Sequence, residues 1–458
     1  MSLRDKIRAL MPPTNRFFEQ RIKDLELELQ KLRTEAVELT ATREKQDELI
    51  LMLSRLMTSH YYDKAWNYST LTYQDGAGRI LLTGWYGEEN YGDELMLRTV
   101  LEHMPKEALS RITVMLWDNF QYPRFSLDLR VNVIHYPTST WELDALAQSF
   151  DTLVWGGGAI IDDTQVDNNP WNVNVGNLFV KLSQLMIAKG KRVYTLGLST
   201  NSNFMDMQYL KSLVEISNRC ELFSVRDPLS AQLLINNGVS KDSIVECEDL
   251  VFGNKELNQA LCSLRNPHNA IKLIAISPLC DKRKPEEYLP LVDAISELPD
   301  FQDHSCRIAL IPMRNIGNKD SDFCAAIKNK AAHPEKIYIA NYPYDLTHSE
   351  LATCDFHISY KYHSALISYM LGIPGIVVID ENNPHYANKM KHLVDLFACR
   401  ENAISANSIE ELTSKQLGKL ISQAKAPKDR ADISAEQSIW LDRICKLISH
   451  DAQKGLEL

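Results

Sequence analysis

The stretch from Phe356 to Asp380 constrains this chain more than any other, because it writes out strand, helix and strand in close succession. Residues 355–360 are a short apolar run, residues 362–371 carry an apolar face at helical spacing, and residues 375–379 form a second apolar run. Gly372 stands where a left-handed C-cap is wanted, and Pro374 blocks further helix. Lys361, Tyr362 and His363 therefore fall at a strand's carboxyl end and in a helix's first turn. In open α/β sheets that rim is where ligands bind, and the free N–H groups of a helix start favour an anion. A cation there is mildly unfavourable unless an anionic ligand lies between it and the helix. Lys361 thus points to such a ligand.

The same alternation fills the body. Strands are expected at 79–83, 112–117, 131–135, 152–155, 192–196, 222–225 and 244–247, with helices at 93–104, 140–150, 174–189, 204–219 and 228–236 between them. Polar residues and Pro267 interrupt the rhythm at 253–269, after which it resumes. The second half reads as strand 271–276, helix 286–297, strand 307–311, helix 322–332, strand 336–339 and then the stretch described first. Strands separated by helix-length segments predict mainly parallel sheets covered on both faces. The expected fold is α/β, with two Rossmann-like doubly wound domains at 78–253 and 270–400. A helical tail at 401–458 begins with a capping box at Ser408 and Glu411.

Ahead of the body, from Ile22, runs a heptad repeat. Ile22, Leu29, Ala36, Arg43, Ile50 and Met57 share one seam, and Leu25, Leu32, Leu39, Gln46 and Leu53 the other. Ile-rich against Leu-rich seams favour a parallel two-stranded coil over 22–60, hence a homodimer; the plainer reading folds this helix back on its own body. Residues 1–21 are basic, with Arg4, Lys6, Arg8, Arg16 and Arg21 against Asp5 and Glu19, and form a short amphipathic segment. That sign suits an anionic membrane surface, or simply a frayed tail.

A formal charge of -10 and no basic stripe in the body argue against nucleic acid as a partner. The nine cysteines are scattered without any Cys-x-x-Cys, so neither a zinc site nor a disulfide framework is indicated, and a reducing compartment is expected. The longest apolar run, residues 366–379, is too short to span a bilayer, and the N-terminus lacks a signal peptide's apolar core. The expected location is cytoplasmic, with peripheral contact at the inner membrane face if the basic segment engages lipid.

Three further motifs sit at strand ends. Gly84, Gly87, Asn90, Gly92, Asp93 and Glu94 form a glycine-punctuated turn after the first strand, without the spacing of a dinucleotide fingerprint. Gly156, Gly157 and Gly158 follow another strand, and their backbone entropy cost marks a crowded or ligand-contacting turn. Asp227 is placed as N-cap and Pro228 as first helical residue, which leaves Arg226 just outside a helix start. A salt bridge to a neighbouring carboxylate is its plain reading, but two cations at two such rims favour a shared anion. The Asp320-Ser-Asp322 run reads as a helix cap rather than a metal site, and His103 and His333 as ordinary surface or helix-end residues. No metal or cofactor is expected.

Together, the turn at 84–94, the Gly156–Gly158 turn, Arg226-Asp227-x-x-Ser230 and Lys361-Tyr362-His363 leading to Gly372-Ile-Pro374 resemble the polysaccharide pyruvyl transferase family over roughly residues 79–395. The resemblance implies two GT-B-like domains, an acceptor side at 78–253 and a donor side at 270–400. It also implies transfer of the pyruvyl group of phosphoenolpyruvate onto two hydroxyls of a sugar as a ketal. The acceptor would be a glycan, free or lipid-linked. Arg226, Lys361, Tyr362 and His363 fall on donor positions, with His363 the proton carrier. Gly87, Asn90, Gly92, Asp93, Glu94 and Gly156–Gly158 are expected at acceptor or loop contacts. The family usually has Arg where this chain has Lys361, a point charge without the planar fork. A GT-B-type glycosyltransferase using a nucleotide sugar is the alternative the same fold would serve, and a catalytically silent adaptor built on the coiled coil is a third.

Overall fold

Parallel sheets are what a computed structural model of the chain contains; it describes residues 78–116, 131–137, 140–163, 175–200, 204, 206–263, 271–281, 283–302, 306–314, 319–341, 350–409 and 411–454. The basic segment 1–21, the coiled coil expected over 22–60 and Trp117 lie outside these residues.

The N-terminal half contributes β1 (Ile80–Thr83), β2 (Ile112–Leu116), β3 (Asn132–His135), β4 (Thr152–Trp155) and β6 (Arg192–Thr195), in the order β3-β2-β1-β4-β6. A second set, β5 (Gly158–Ile161), β7 (Leu198–Thr200), β8 (Phe223–Val225) and β9 (Ile244–Glu246), takes the order β5-β7-β8-β9, again all parallel. The two sheets are joined along the chain. β4 continues through Gly156 and Gly157 into β5, β6 continues through Gly197 into β7, and Leu196 N–H donates to Trp155 O at 2.8 Å across the break. Residues β5 and β7 were not expected as strands; glycines hide them, since a strand interrupted by Gly loses its apolar run.

The C-terminal half is simpler: β10 (Leu273–Ser277), β11 (Arg307–Leu310), β12 (Ile337–Ile339), β13 (Phe356–Ser359), β14 (Gly375–Ile379) and β15 (Ala403–Ser405) lie in the order β12-β11-β10-β13-β14-β15, all parallel. Strand order reverses between β10 and β13 here and between β1 and β4 in the first half, and such switch points open a crevice at the strands' carboxyl ends. The interior strands are apolar on both faces because both are covered: Ile80, Leu82, Ile274, Ile276 and Ile358 have no exposed surface. One apolar cluster joins Leu82, Val100 and Leu250 to Leu366, Phe397 and Leu441, so the helix Tyr362–Met370 and the long helix Ala431–Lys454 pack into the first half's core.

Local departures have local causes. Gly372 is left-handed (φ +68), as its C-cap position requires. The helix expected at 204–219 is Met207–Ser217, started by the Asp206 carboxylate, which accepts from Gln208 and Tyr209 N–H. The tail is not purely helical, since β15 adds a sixth strand, and the capping box lies at Thr413 and Gln416 rather than Ser408 and Glu411. His103 ends the helix Tyr91–His103, as one of the two expectations had it, but is buried rather than on the surface, with ring nitrogens 2.7 Å from Asp442 Oδ1 and 2.8 Å from Gly253 O.

Candidate functional site

A cavity of about 330 Å³ opens where the carboxyl ends of strands from both halves converge. Trp85, Asn90 and Asp93 reach it from the turn after β1, Arg226 from the end of β8, Arg314 from beyond β11, and Lys361 and His363 from the end of β13. Its size falls within the roughly 300–1,000 Å³ of small-molecule sites.

Arg226 is buried against the wall. One guanidinium nitrogen, Nη1, pairs with Asp249 Oδ2 and lies 3.3 Å from His363 Nε2, and the cation sits 5.2 Å over the Tyr362 ring. Burial, the largest single influence, would lower the Arg226 pKa, but Asp249 together with Tyr362, Asp227 and Asp93 outweighs it and the guanidinium is held raised. Burial likewise pushes Asp249 up, and Arg226 and then His363 overcome that, holding the carboxyl well below its usual range. His363 Nε2 is 3.5 Å from Asp249 Oδ2. It can accept from Arg226 only without its own proton, and it can turn a proton only toward Asp249, so the pair of neighbours defines both states of the ring.

Gly92 explains how the ring gets there. It lies in the first turn of the helix Tyr91–His103, and a Cβ at Gly92 would overlap His363 Nδ1 and Cγ. Two helix starts, at Tyr91 and at Tyr362, thereby meet at one imidazole. The positive ends of both helix dipoles add to the potential of this corner.

The turn after β1 is held by its own carboxylates. Glu94 Oε1 accepts from Gly87 N–H at 2.6 Å, Asp93 Oδ2 from Asn90 Nδ2 at 2.5 Å, and Glu88 Oε2 from Trp85 Nε1 at 2.9 Å. Burial pushes Asp93 up to about 6, with His363 and Arg226 opposing, and pushes Glu94 up to about 8 against the Gly87 N–H. Asp93 faces the cavity; Glu94 and Gly87 do not line it. Glu88 pairs with Arg314, which also reaches Asp281 at 3.2 Å, and Tyr91 N–H donates to Met313 O at 2.8 Å. These contacts tie the first turn to the loop after β11.

The Gly156–Gly158 turn is crowded, chiefly by protein. A Cβ at Gly156 would strike the Tyr86 hydroxyl, and one at Gly157 would lie 2.7 Å from Met96 Sδ and 2.8 Å from Leu250 Cδ1. The cavity is lined by the next residues, Ala159 and Ile160, rather than by the glycines. Asp227 caps its helix as expected, accepting from Ser230 N–H at 2.7 Å, with Ser199 Oγ 2.8 Å from its other oxygen.

Lys361 is the N-cap of the helix Tyr362–Met370 without a side-chain cap bond, and its Nζ lies 2.5 Å from Asp320 Oδ2. Asp320 is therefore no helix cap. It sits inside the helix Lys319–Lys330, wholly buried, and accepts from the N–H groups of Met313 at 2.9 Å and Arg314 at 2.8 Å and from Cys280 Sγ. Among the described residues no group of three or more His, Cys, Asp and Glu could hold a metal ion, and no helix is long and apolar enough to cross a membrane.

Sequence reasoning thus brought Arg226, Tyr362, His363, Asn90 and Asp93 to one wall and placed Lys361 beside them. It missed Asp249, Asp320, Arg314 and Lys389. Asp249 and Arg314 lie just past the carboxyl ends of β9 and β11, a signal that was available; Lys389 sits mid-helix, where nothing local distinguishes it.

A doubly wound α/β chain with cations and a histidine gathered at the strands' carboxyl ends has the form of a ligand-binding enzyme of that class. The chain belongs to the polysaccharide pyruvyl transferase family, a transferase family whose model matches residues 90–383, well over half of it. No curated protein sequence matches it. Similar solved structures include HepE from Anabaena in complex with UDP, at 14% identity over 83% of this chain and 99% of that one (TM-score 0.45). Others are UDP-GlcNAc 2-epimerase from Neisseria meningitidis bound to UDP-GlcNAc, at 11% over 80% and 99% (0.47), and MnaA from S. aureus with UDP, at 11% over 81% and 97% (0.48).

Proposed function

We propose that this chain transfers the pyruvyl group of phosphoenolpyruvate onto two hydroxyls of a sugar in a cell-surface polysaccharide or its lipid-linked precursor, releasing phosphate and leaving a ketal. The observation that carries the reading is that Arg226, Lys361, Tyr362 and His363, all inside the family-matched region, line a single cavity. Phosphoenolpyruvate carries a phosphate and a carboxylate, and Arg226, Arg314 and Lys361 supply converging positive charge for them.

The reaction needs one proton delivered to the methylene carbon and two removed from the acceptor hydroxyls, the second leaving with phosphate. His363 is the proton carrier in this reading, a role worth about 100- to 10,000-fold in rate. Asp93, raised to about 6, is a base matched to an acceptor hydroxyl near neutral pH, with Asn90 beside it to hold the sugar. Residues 78–253 form the acceptor side and 270–400 the donor side, with Arg226 reaching across to the donor.

The test is release of phosphate from phosphoenolpyruvate that depends on a sugar acceptor. Binding of labelled nucleotide sugars, with none of phosphoenolpyruvate, would overturn the proposal in favour of a nucleotide-sugar glycosyltransferase.

A further inference from the structure

Lys389 lines the same cavity from the helix Pro384–Leu396, one turn past Tyr386, so the two side chains share the face turned to the cleft. Tyr386 pins that face in place. Its hydroxyl accepts from Tyr362 N–H at 2.8 Å and lies 3.1 Å from Tyr360 O, to which it donates. Lys389 itself is 7% exposed. Charged groups face it from every side: Arg226 and Asp227 at the end of β8, Asp162 at the end of β5, Asp93 in the first helix, and His385 next to it on its own helix. Burial, and then the Arg226 cation, bring its pKa down to about 7, against the pull of the three carboxylates. An amine on a cavity wall that titrates near neutrality responds to whatever charge enters the cavity.

We infer that Lys389 is an anion-binding residue of this pocket that takes up a proton when a phosphoryl ligand binds, and so ties ligand affinity to pH. The inference rests on the pyruvyl-transfer reading only in taking the ligand to be a phosphoryl anion. The sign is set by linkage. In the empty pocket the amine is charged below about pH 7 and neutral above it, and a bound dianion raises its pKa. Affinity is then flat from about pH 6, where the phosphoryl group is doubly ionised, to about pH 7, and falls about tenfold per unit as pH rises beyond it, until the pKa of the occupied state is reached.

Isothermal calorimetry at pH 8, in buffers of different ionisation enthalpy, measures the proton directly. The probes are phosphoenolpyruvate, inorganic phosphate and UDP. A phosphate monoester is by then fully ionised, its second pKa lying near 6, so a proton taken up comes to the protein. The wild-type chain should take up about one. Lys389→Met should bind about ten- to a hundredfold more weakly at pH 7 and take up none, as for a lost charge-assisted contact. Lys389→Arg carries a fixed charge, so it should bind without proton uptake and hold its affinity from pH 7 to 9.

Glu94, raised to about 8, is the competing proton acceptor near an incoming anion. Uptake that persists in Lys389→Arg would assign the proton to a group other than Lys389 and overturn the inference. So would wild-type affinity and uptake in Lys389→Met, or failure of all three probes to bind the wild-type chain. Uptake with phosphate or UDP but no binding of phosphoenolpyruvate would leave Lys389 standing and remove the pyruvyl reading alone.

Discussion

The two cations at the rims are neutralised in different ways. Arg226 is closed in: both it and Asp249 are almost wholly buried, and its Nη1 is shared among Asp249, Met96 Sδ at 3.5 Å and His363. Lys361 is less closed: its partner Asp320 has no exposed surface and is already committed to two backbone N–H groups, while the lysine side chain remains 13% exposed at the cavity wall. Only one of its three N–H donors goes to Asp320. The first pair is a fixed electrostatic frame around His363; the second presents a movable point charge to whatever enters. A pair becomes part of the framework when both members lose their water, and remains available to a ligand when one keeps some of it.

The sharpest break of that comparison is at the histidine the frame surrounds. If His363 carries the proton as proposed, His363→Ala removes that function and no fixed charge, so it should keep the fold and most donor affinity while turnover drops about 100- to 10,000-fold. Acceptor-dependent phosphate release measures it, and undiminished turnover would take the chemistry away from this corner. The frame is tested next by Asp249→Ala. That leaves Arg226 buried and unpaired, which should cost roughly 3–5 kcal/mol in denaturant unfolding. A loss under about 1 kcal/mol would show that the Arg226 rim is as open as the Lys361 rim.

The difference between the rims also explains what the sequence disclosed. Strand, turn and cap signals are local, so the 356–380 unit, the left-handed Gly372 and the Asp227 cap were readable from neighbours within a few residues. The partners of the two cations are not local. Asp249 is 23 residues from Arg226 and Asp320 is 41 from Lys361, and only the fold brings them together. Asp320 was misread because an aspartate at a helix start looks like a cap when its true partners, Met313 and Arg314, lie in the preceding loop. The extra strands β5 and β7 were hidden by the glycines that separate them from β4 and β6.

The acidic side of the first rim supplies a smaller effect with a definite pH sign. Glu94 titrates near 8 in the fold, because burial outweighs its bond from Gly87 N–H, against an ordinary value of 4.5. Between pH 4.5 and 8 the folded chain keeps this proton while the unfolded chain loses it, so the group makes stability fall as pH rises through that window. Glu94→Gln keeps an acceptor for Gly87 N–H and cannot ionise. It should match the wild type near pH 4 and be more stable at pH 8 by up to roughly 4 kcal/mol, the linkage equivalent of the rise from 4.5 to about 8. Melting curves across this range check it, and a gain at low pH rather than high would mean that the carboxylate is not held neutral.

The smallest effect is the most telling about the open rim. Lys361→Arg replaces a point charge by a planar fork, in a position where Asp320 and the cavity compete for the same donors. If the amine serves mainly the ligand, the longer guanidinium can hold Asp320 with one nitrogen and grip a carboxylate with the others. Donor affinity should then stay within about tenfold of wild type, and on the tighter side, since a second charge-assisted bond is gained while the ion pair survives. If the amine serves mainly Asp320, the bulkier group is forced against a wholly buried partner whose other oxygen is taken by Cys280, and both stability and donor affinity should fall together. Measuring phosphoenolpyruvate binding and unfolding on the same variant separates the two: a tighter or unchanged donor with unchanged stability keeps Lys361 as the ligand-facing cation, and a joint loss makes it a second closed frame like Arg226.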